Sequence, residues 1–197
     1  ADIDDAVNGA IASKYRNAGQ TCVCANRFFI QETIYDEFIQ KFTKATAELI
    51  CGNGLSEKTE IGPLIEENAL EKVNALLTDA QSKGGEIIET HAQKVQDQAL
   101  LCTPKIIKDV NQSMRLFHEE IFGPVAPIFK FKTVNEVIEL ANSTEYGLAA
   151  YFYGRDYAKI WKVAEALEYG MVGINTGMIS TAVAPFGGIK QSGFGKE

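Results

Sequence analysis

Amphipathic helical stretches alternate with short apolar, β-branched runs along nearly the whole chain, and few architectures accommodate that alternation. Between Thr33 and Ile50, apolar Ile34, Phe38, Phe42, Ala45 and Leu49 recur at helical spacing. Thr33 is placed to cap this stretch, and Asp36 and Glu37 fall in its first turn. Leu70, Val73, Leu76, Leu77 and Ala80 repeat the stripe from Glu66 to Lys83, and Gly84-Gly85 ends it. Ile3 to Tyr15 is a third such pattern, opened by the capping run Asp2-Ile3-Asp4-Asp5. Strands are expected over Cys24–Gln31, Glu86–Thr90, Ala99–Val110, Val125–Lys132, Ala149–Tyr153 and Gly170–Asn175. Shorter helices are expected over Asn135–Ala141 and Tyr157–Leu167. Pro104 lacks a ladder N–H and marks its run as an edge or bulged strand. The alternation predicts an α/β fold with a largely parallel sheet flanked by helices. No repeat, linker or low-complexity segment interrupts it, so residues 1–197 read as a single domain.

Bulk chemistry narrows the function. Hydrophobic residues make up 46% and charged residues 23%, the balance of a globular protein with a real core. The net charge is −7 and basic residues never cluster beyond a pair, so no footprint for nucleic acid is expected. No apolar run approaches a membrane span. The acidic start Ala1-Asp2-Ile3-Asp4-Asp5 has the wrong sign for a secretory or transit peptide. Cys22, Cys24, Cys51 and Cys102 are irregularly spaced, which argues against a disulfide framework and for a reducing, cytoplasmic compartment. Cys-x-Cys with distant, single His91 and His118 is a poor zinc signature, so no metal is expected. The first helix has no preceding element to pack on, and Ser192–Glu197 stops in a Gly-rich turn. Both ends read as cut from something larger.

Three stretches carry chemistry. Asn17-Ala18-Gly19-Gln20-Thr21-Cys22 places a cysteine between a helix and a strand, after a glycine that permits tight backbone. That position suits a thiolate presented at a sheet edge; the commoner role of a single cysteine is a small buried apolar residue. In Glu119-Glu120-Ile121-Phe122-Gly123-Pro124-Val125, two acids precede an aromatic and a stiff turn. One carboxylate can accept from sugar hydroxyls while Phe122 offers a flat apolar face, and the alternative is a solvated acid pair with a core Phe. Ala184-Pro185-Phe186-Gly187-Gly188-Ile189-Lys190-Gln191-Ser192-Gly193 reads as a glycine-built loop. It is neither a P-loop nor a GxGxxG fingerprint.

Taken in this order and at these separations, the three stretches resemble the aldehyde dehydrogenase superfamily, over essentially the whole chain. Arg16-Asn17-Ala18-Gly19-Gln20-Thr21-Cys22-Val23-Cys24-Ala25-Asn26-Arg27 and Leu167-Glu168-Tyr169-Gly170-Met171-Val172-Gly173-Ile174-Asn175-Thr176-Gly177 are similar to its succinate-semialdehyde branch. The resemblance implies that Cys22 is the catalytic nucleophile, with its own backbone N–H as one oxyanion donor. It implies cofactor binding by Glu120, on the nicotinamide ribose, and by Phe122, beside the nicotinamide. Arg16 and Ser180 match the residues that hold the substrate's distal carboxylate, and Phe186 an aromatic wall of the substrate tunnel. A guanidinium six residues before the nucleophile offers a charged, bidentate fork for such a carboxylate.

The implied reaction is oxidation of succinate semialdehyde to succinate with NAD or NADP, through a cysteine thiohemiacetal and thioester. Alternatives are a dehydrogenase of another ω-semialdehyde such as glutarate semialdehyde, which one methylene separates only weakly, or a non-catalytic isolated domain. The family's N-terminal cofactor domain carries a Glu-Leu-Gly-Gly motif with the general base and an oxyanion-hole Asn. None of these motifs occurs in the sequence, nor does the C-terminal oligomerisation strand. Residues 1–197 therefore resemble an excised aldehyde dehydrogenase catalytic domain, inactive alone, from a parent expected to be a homo-oligomer. Finally, in an extended strand Cys22 and Cys24 face the same side with Cα atoms about 6.5–7 Å apart, at the upper limit for a disulfide. A strained, reversible Cys22–Cys24 bond that silences the nucleophile is expected from this spacing, against Cys24 as a small space-filling residue.

Overall fold

The computed structural model describes residues 1–94 and 99–197. Helix α1 spans Ile3–Tyr15, and Asp2 caps it by accepting from the amides of Asp4 and Asp5. Strand β1 covers Phe28–Gln31, later than the expected start at Cys24. A turn intervenes: the Cys24 amide donates to the Thr21 carbonyl at 2.9 Å. A short 3-10 turn, Glu32–Ile34, then leads into α2, Tyr35–Ala47. Thr33 lies inside that turn, so no side chain caps α2; its Phe38 and Phe42 face supplies the stabilising burial instead. Phe42 stacks on Tyr15 of α1 at 5.9 Å between ring centroids, which fastens the two helices together.

Strand β2 (Ile50–Cys51) is followed by α3 (Glu67–Ser82), β3 (Glu86–Glu89), β4 (Gln93–Lys94) and β5 (Lys105–Lys108). Strand β5 is much shorter than the Ala99–Val110 run read from sequence. Pro104 sits just before it, and β5 is an interior strand rather than an edge. Because the proline lies outside the ladder, its missing N–H breaks no pairing. A short helix α4 (Arg115–His118) precedes β6 (Val125–Phe131). Helix α5 (Val134–Asn142) opens on a complete capping box between Thr133 and Glu136. Then come β7 (Tyr146–Gly147), β8 (Ala149–Phe152), α6 (Tyr157–Ala166), capped by Asp156, and β9 (Met171–Ile174). The last, β10 (Ile189–Lys190), falls inside the stretch read as an irregular loop.

The main sheet has the order β1-β6-β5-β3. Strands β1, β6 and β5 run parallel, and β3 joins antiparallel at the edge. Strands β8 and β9 form a separate parallel pair. The β arrangement is thus largely parallel. Ile106, Ile107 and Ile128 on the central strands are fully buried, in one core with Phe42, Val73 and Phe117 of α2, α3 and α4. Continuous apolar runs of this kind are what a sheet covered on both faces requires. No described helix is long and apolar enough to cross a membrane.

Candidate active site

Three successive residues after α1 take left-handed backbone: Asn17 (φ 52°), Ala18 (φ 55°) and Gly19 (φ 77°). Non-glycine residues there cost of order 1–3 kcal/mol each and persist where their surroundings over-determine them. Here Asn17 and Gln20 lock the turn, the Gln20 amide donating to the Asn17 carbonyl and Asn17 Nδ2 to the Gln20 carbonyl. The result is an abrupt reversal that lifts Cys22 to an exposed position. Beneath it the loop is pinned twice. The Ala25 amide donates to the Ser13 carbonyl at 3.2 Å, and Tyr151 Oη on β8 donates to the Val23 carbonyl at 2.8 Å. Among the described residues, the Cys22 amide closes no hydrogen bond within the chain, which leaves that N–H for a ligand oxygen.

The Thr21–Cys24 turn corrects the extended spacing expected between the two thiols: both lie on a folded loop, and both are free. Cys24 is half-buried, and its Sγ–H points to the Arg16 carbonyl at 3.8 Å. Tyr151 stands under the same loop. Burial pushes its hydroxyl up to about 12, with Cys24 and Cys22 adding to the shift and Arg16 opposing it.

The acid stretch divides its labour. Arg115 clamps Glu119 through two bonds, of 2.6 and 2.9 Å, and holds its carboxyl below the usual range. Glu120, by contrast, is exposed and makes no hydrogen bond or ion pair among the described residues. Asn26 shapes the turn between them: its Nδ2 donates to the Glu119 carbonyl at 3.0 Å and its Oδ1 accepts from the Ile121 amide at 2.8 Å. Phe122 follows in left-handed backbone, φ 50°, with its ring partly exposed. Cys22, Cys24, Glu120 and Phe122 all line one cavity of about 1050 Å³, together with Lys14, Asn26 and Tyr151. An open carboxylate, an exposed aromatic and an accessible thiol thus share one cavity.

Arg16, Ser180 and Phe186 do not line that cavity. Arg16 Nη1 contacts Met178 Sδ at 3.5 Å, which puts the guanidinium beside the loop that carries Ser180. Ser180 is exposed. Phe186 exchanges backbone bonds with Glu197. The glycine-rich stretch forms a latch, with no phosphate cradle. β10 pairs with β7, Ser192 Oγ accepts from the Gly147 amide, and Lys196 Nζ donates to the Gly170 and Gly187 carbonyls.

Sequence reading did not single out Lys14, Asn26 or Tyr151. Lys14 had a signal, as a cation on the apolar face of α1, and it is 1% exposed. Asn26 and Tyr151 had none, because their roles are contacts to backbone distant in sequence.

The chain matches the aldehyde dehydrogenase family model over residues 1–197. It is 53% identical over its whole length to a glutarate-semialdehyde dehydrogenase of Pseudomonas putida, of which it covers 40%. It is 51% identical to the NADP(+) succinate-semialdehyde dehydrogenase GabD of Escherichia coli, covering 41% of it. A crystal structure of succinate-semialdehyde dehydrogenase from Burkholderia pseudomallei superposes with a TM-score of 0.94 at 51% identity, over all of this chain and 40% of that one. The chain therefore spans about 40% of the length of these relatives. With its matched length, its fold and the arrangement of its three motif stretches in agreement, the chain belongs to the aldehyde dehydrogenase family.

Proposed function

We propose that the full-length protein is an NAD(P)-dependent aldehyde dehydrogenase acting on a short semialdehyde with a distal carboxylate, and that residues 1–197 are its catalytic domain. The observation that carries this is the exposed Cys22, its amide unpaired, in one cavity with the open carboxylate of Glu120. The Cys22 thiolate adds to the aldehyde carbon, and the oxygen that becomes negative accepts the Cys22 N–H. Glu120 would accept from the cofactor's ribose hydroxyls, and Phe122 would offer its ring to the nicotinamide. When bound, the nicotinamide supplies the hydride acceptor that turns the thiohemiacetal into a thioester. Water then releases the acid and frees Cys22. Arg16 and Ser180 hold the substrate's carboxylate, and Phe186 lines its approach.

Succinate semialdehyde is the first substrate to test. Glutarate semialdehyde is the second, favoured by the relative from Pseudomonas putida. The full-length protein should reduce NAD or NADP with one or both, and Cys22→Ala should abolish turnover. Wild-type turnover with uncharged aldehydes but with neither semialdehyde would overturn the substrate assignment. Retained turnover in Cys22→Ala would overturn the nucleophile.

A further inference from the structure

Tyr151 of β8 reaches both the thiol loop and the segment that carries Ser180. Its hydroxyl donates to the Val23 carbonyl at 2.8 Å. Val23 is buried, and among the described residues its carbonyl accepts from no other group. Losing that donor would leave a buried acceptor unpaired, in the peptide run that starts at Cys22. The Tyr151 ring faces the other way along the ladder. Tyr151 pairs with Gly173 of β9, and a Cβ at Gly173 would lie 2.7 Å from Ile179 Cγ2 and 3.0 Å from Tyr151 Cδ1. The ring and Ile179 therefore close over the same bare glycine, and Ile179 is the residue before Ser180. The turn leading into Ile179 is braced locally, with Thr176 Oγ1 donating to the Met178 carbonyl at 3.1 Å.

We propose that Tyr151 is a positioning residue with two separable parts. Its hydroxyl holds the Cys22 loop for attack. Its ring holds the Ile179–Ser180 segment at the distance from that loop which a short carboxylate-bearing aldehyde spans. The second part rests on the function proposed above, in which Ser180 helps to hold the substrate's carboxylate. A nucleophile out of place loses rate while ground-state binding survives. A displaced carboxylate holder loses ground-state binding, which shows in KM. The two parts of Tyr151 therefore act on different kinetic constants, and a side chain that merely filled space would separate neither.

The test uses the full-length protein with Tyr151→Phe, which keeps the ring, and Tyr151→Ala, which removes it. Hydrogen exchange gives a readout that needs no turnover. The Cys24 and Ala25 amides, bonded to Thr21 and Ser13, should exchange about tenfold faster in Tyr151→Phe, while amides of the β1–β6 ladder keep their rates. Tyr151→Phe should lower kcat about fivefold or more for a semialdehyde and an uncharged aldehyde alike, with both KM values within about twofold. Tyr151→Ala should in addition raise KM about fivefold or more, for the semialdehyde alone. Unchanged exchange at Cys24 and Ala25 overturns the hydroxyl's role, as does faster exchange with kcat unchanged. Exchange that quickens equally through the β1–β6 ladder marks a general structural contact and overturns it too. A Tyr151→Ala KM that stays the same, or rises equally for both aldehydes, overturns the ring's role. If Tyr151→Ala opens the main sheet, Ile179→Ala cuts the same contact, and a semialdehyde KM unchanged there overturns the ring's role instead. If the wild-type protein turns over no semialdehyde, the substrate assignment falls and the ring's role with it, while the exchange rates still decide the hydroxyl's.

Discussion

Gly19 and Gly123 meet backbone to backbone, so closely that a Cβ on Gly19 would overlap the Gly123 carbonyl. Gly19 lies three residues before Cys22, and Gly123 three after Glu120. The contact therefore ties the thiol loop directly to the acid loop. Gly19 is needed twice over, for its φ of 77° and for this close approach.

Gly19→Ala should destabilise the protein by about 1–3 kcal/mol from backbone strain alone, and displace Cys22 relative to Glu120. A misplacement of roughly 1 Å at a reacting centre costs on the order of a hundredfold in rate. Thermal unfolding and turnover of the full-length variant check this. Wild-type values for both would mean the two loops are not coupled through this contact.

Asn26→Ala removes both bonds that shape the Glu119–Ile121 turn. Each is worth about 1 kcal/mol. Because the bonds orient Glu120 rather than Cys22, the KM for NAD(P) should rise several-fold more than the KM for aldehyde. A purely structural role would instead lower the melting temperature and leave the two KM values in their original ratio.

Arg16→Ala should weaken a carboxylate-bearing semialdehyde far more than an uncharged aldehyde of similar length. A hydrogen bond to a charged group is worth about 1.5–3 kcal/mol, or roughly tenfold to a hundredfold in KM. Parallel kinetics on both substrates measure it. Equal losses would assign Arg16 to holding the Met178 loop, which it contacts.

Oxidation should join Cys22 to Cys24. The turn that ends in the Cys24-to-Thr21 bond brings the two residues closer than an extended strand does, which eases the geometric limit on the bond. Peroxide should inactivate the full-length protein, dithiothreitol should restore it, and non-reducing peptide mapping should show the linked pair. If Cys24→Ala is inactivated and rescued identically, no such bond forms.

Stability should carry the mark of Lys14. Burial brings its folded value to about 8, below lysine's ordinary 10.5, so the unfolded chain binds more protons between those limits and stability from this group rises with pH there. Below pH 8 the buried charge costs up to about 3 kcal/mol. Lys14→Met should therefore be the more stable protein at pH 7, and that advantage should fade by about pH 10.5. Denaturant midpoints at several pH values follow it. A constant difference across this range would mean that folding does not shift Lys14.

Periodicity made the long elements legible. The Phe38–Phe42 face of α2 and the Val73–Leu77 face of α3 are buried as their spacing requires. Boundaries near the site were less so. β1 starts at Phe28 rather than Cys24 because the chain turns at Thr21–Cys24, after Asn17, Ala18 and Gly19 have reversed it in left-handed backbone. Asn and Ala do not announce that conformation as a run of glycines would.

The motif stretches established, from sequence alone, that this chain carries a cysteine between helix and strand, an acid–aromatic turn and a glycine-rich stretch in family order. Tertiary structure decided what each group is free to do. It gave Glu119 to Arg115 and left Glu120 open, turned the glycine stretch into a latch on β7, and buried Lys14. The reason is physical. Chemical type is a property of the residue, whereas availability depends on which partners, often a hundred residues away in sequence, have already taken its hydrogen bonds and its water.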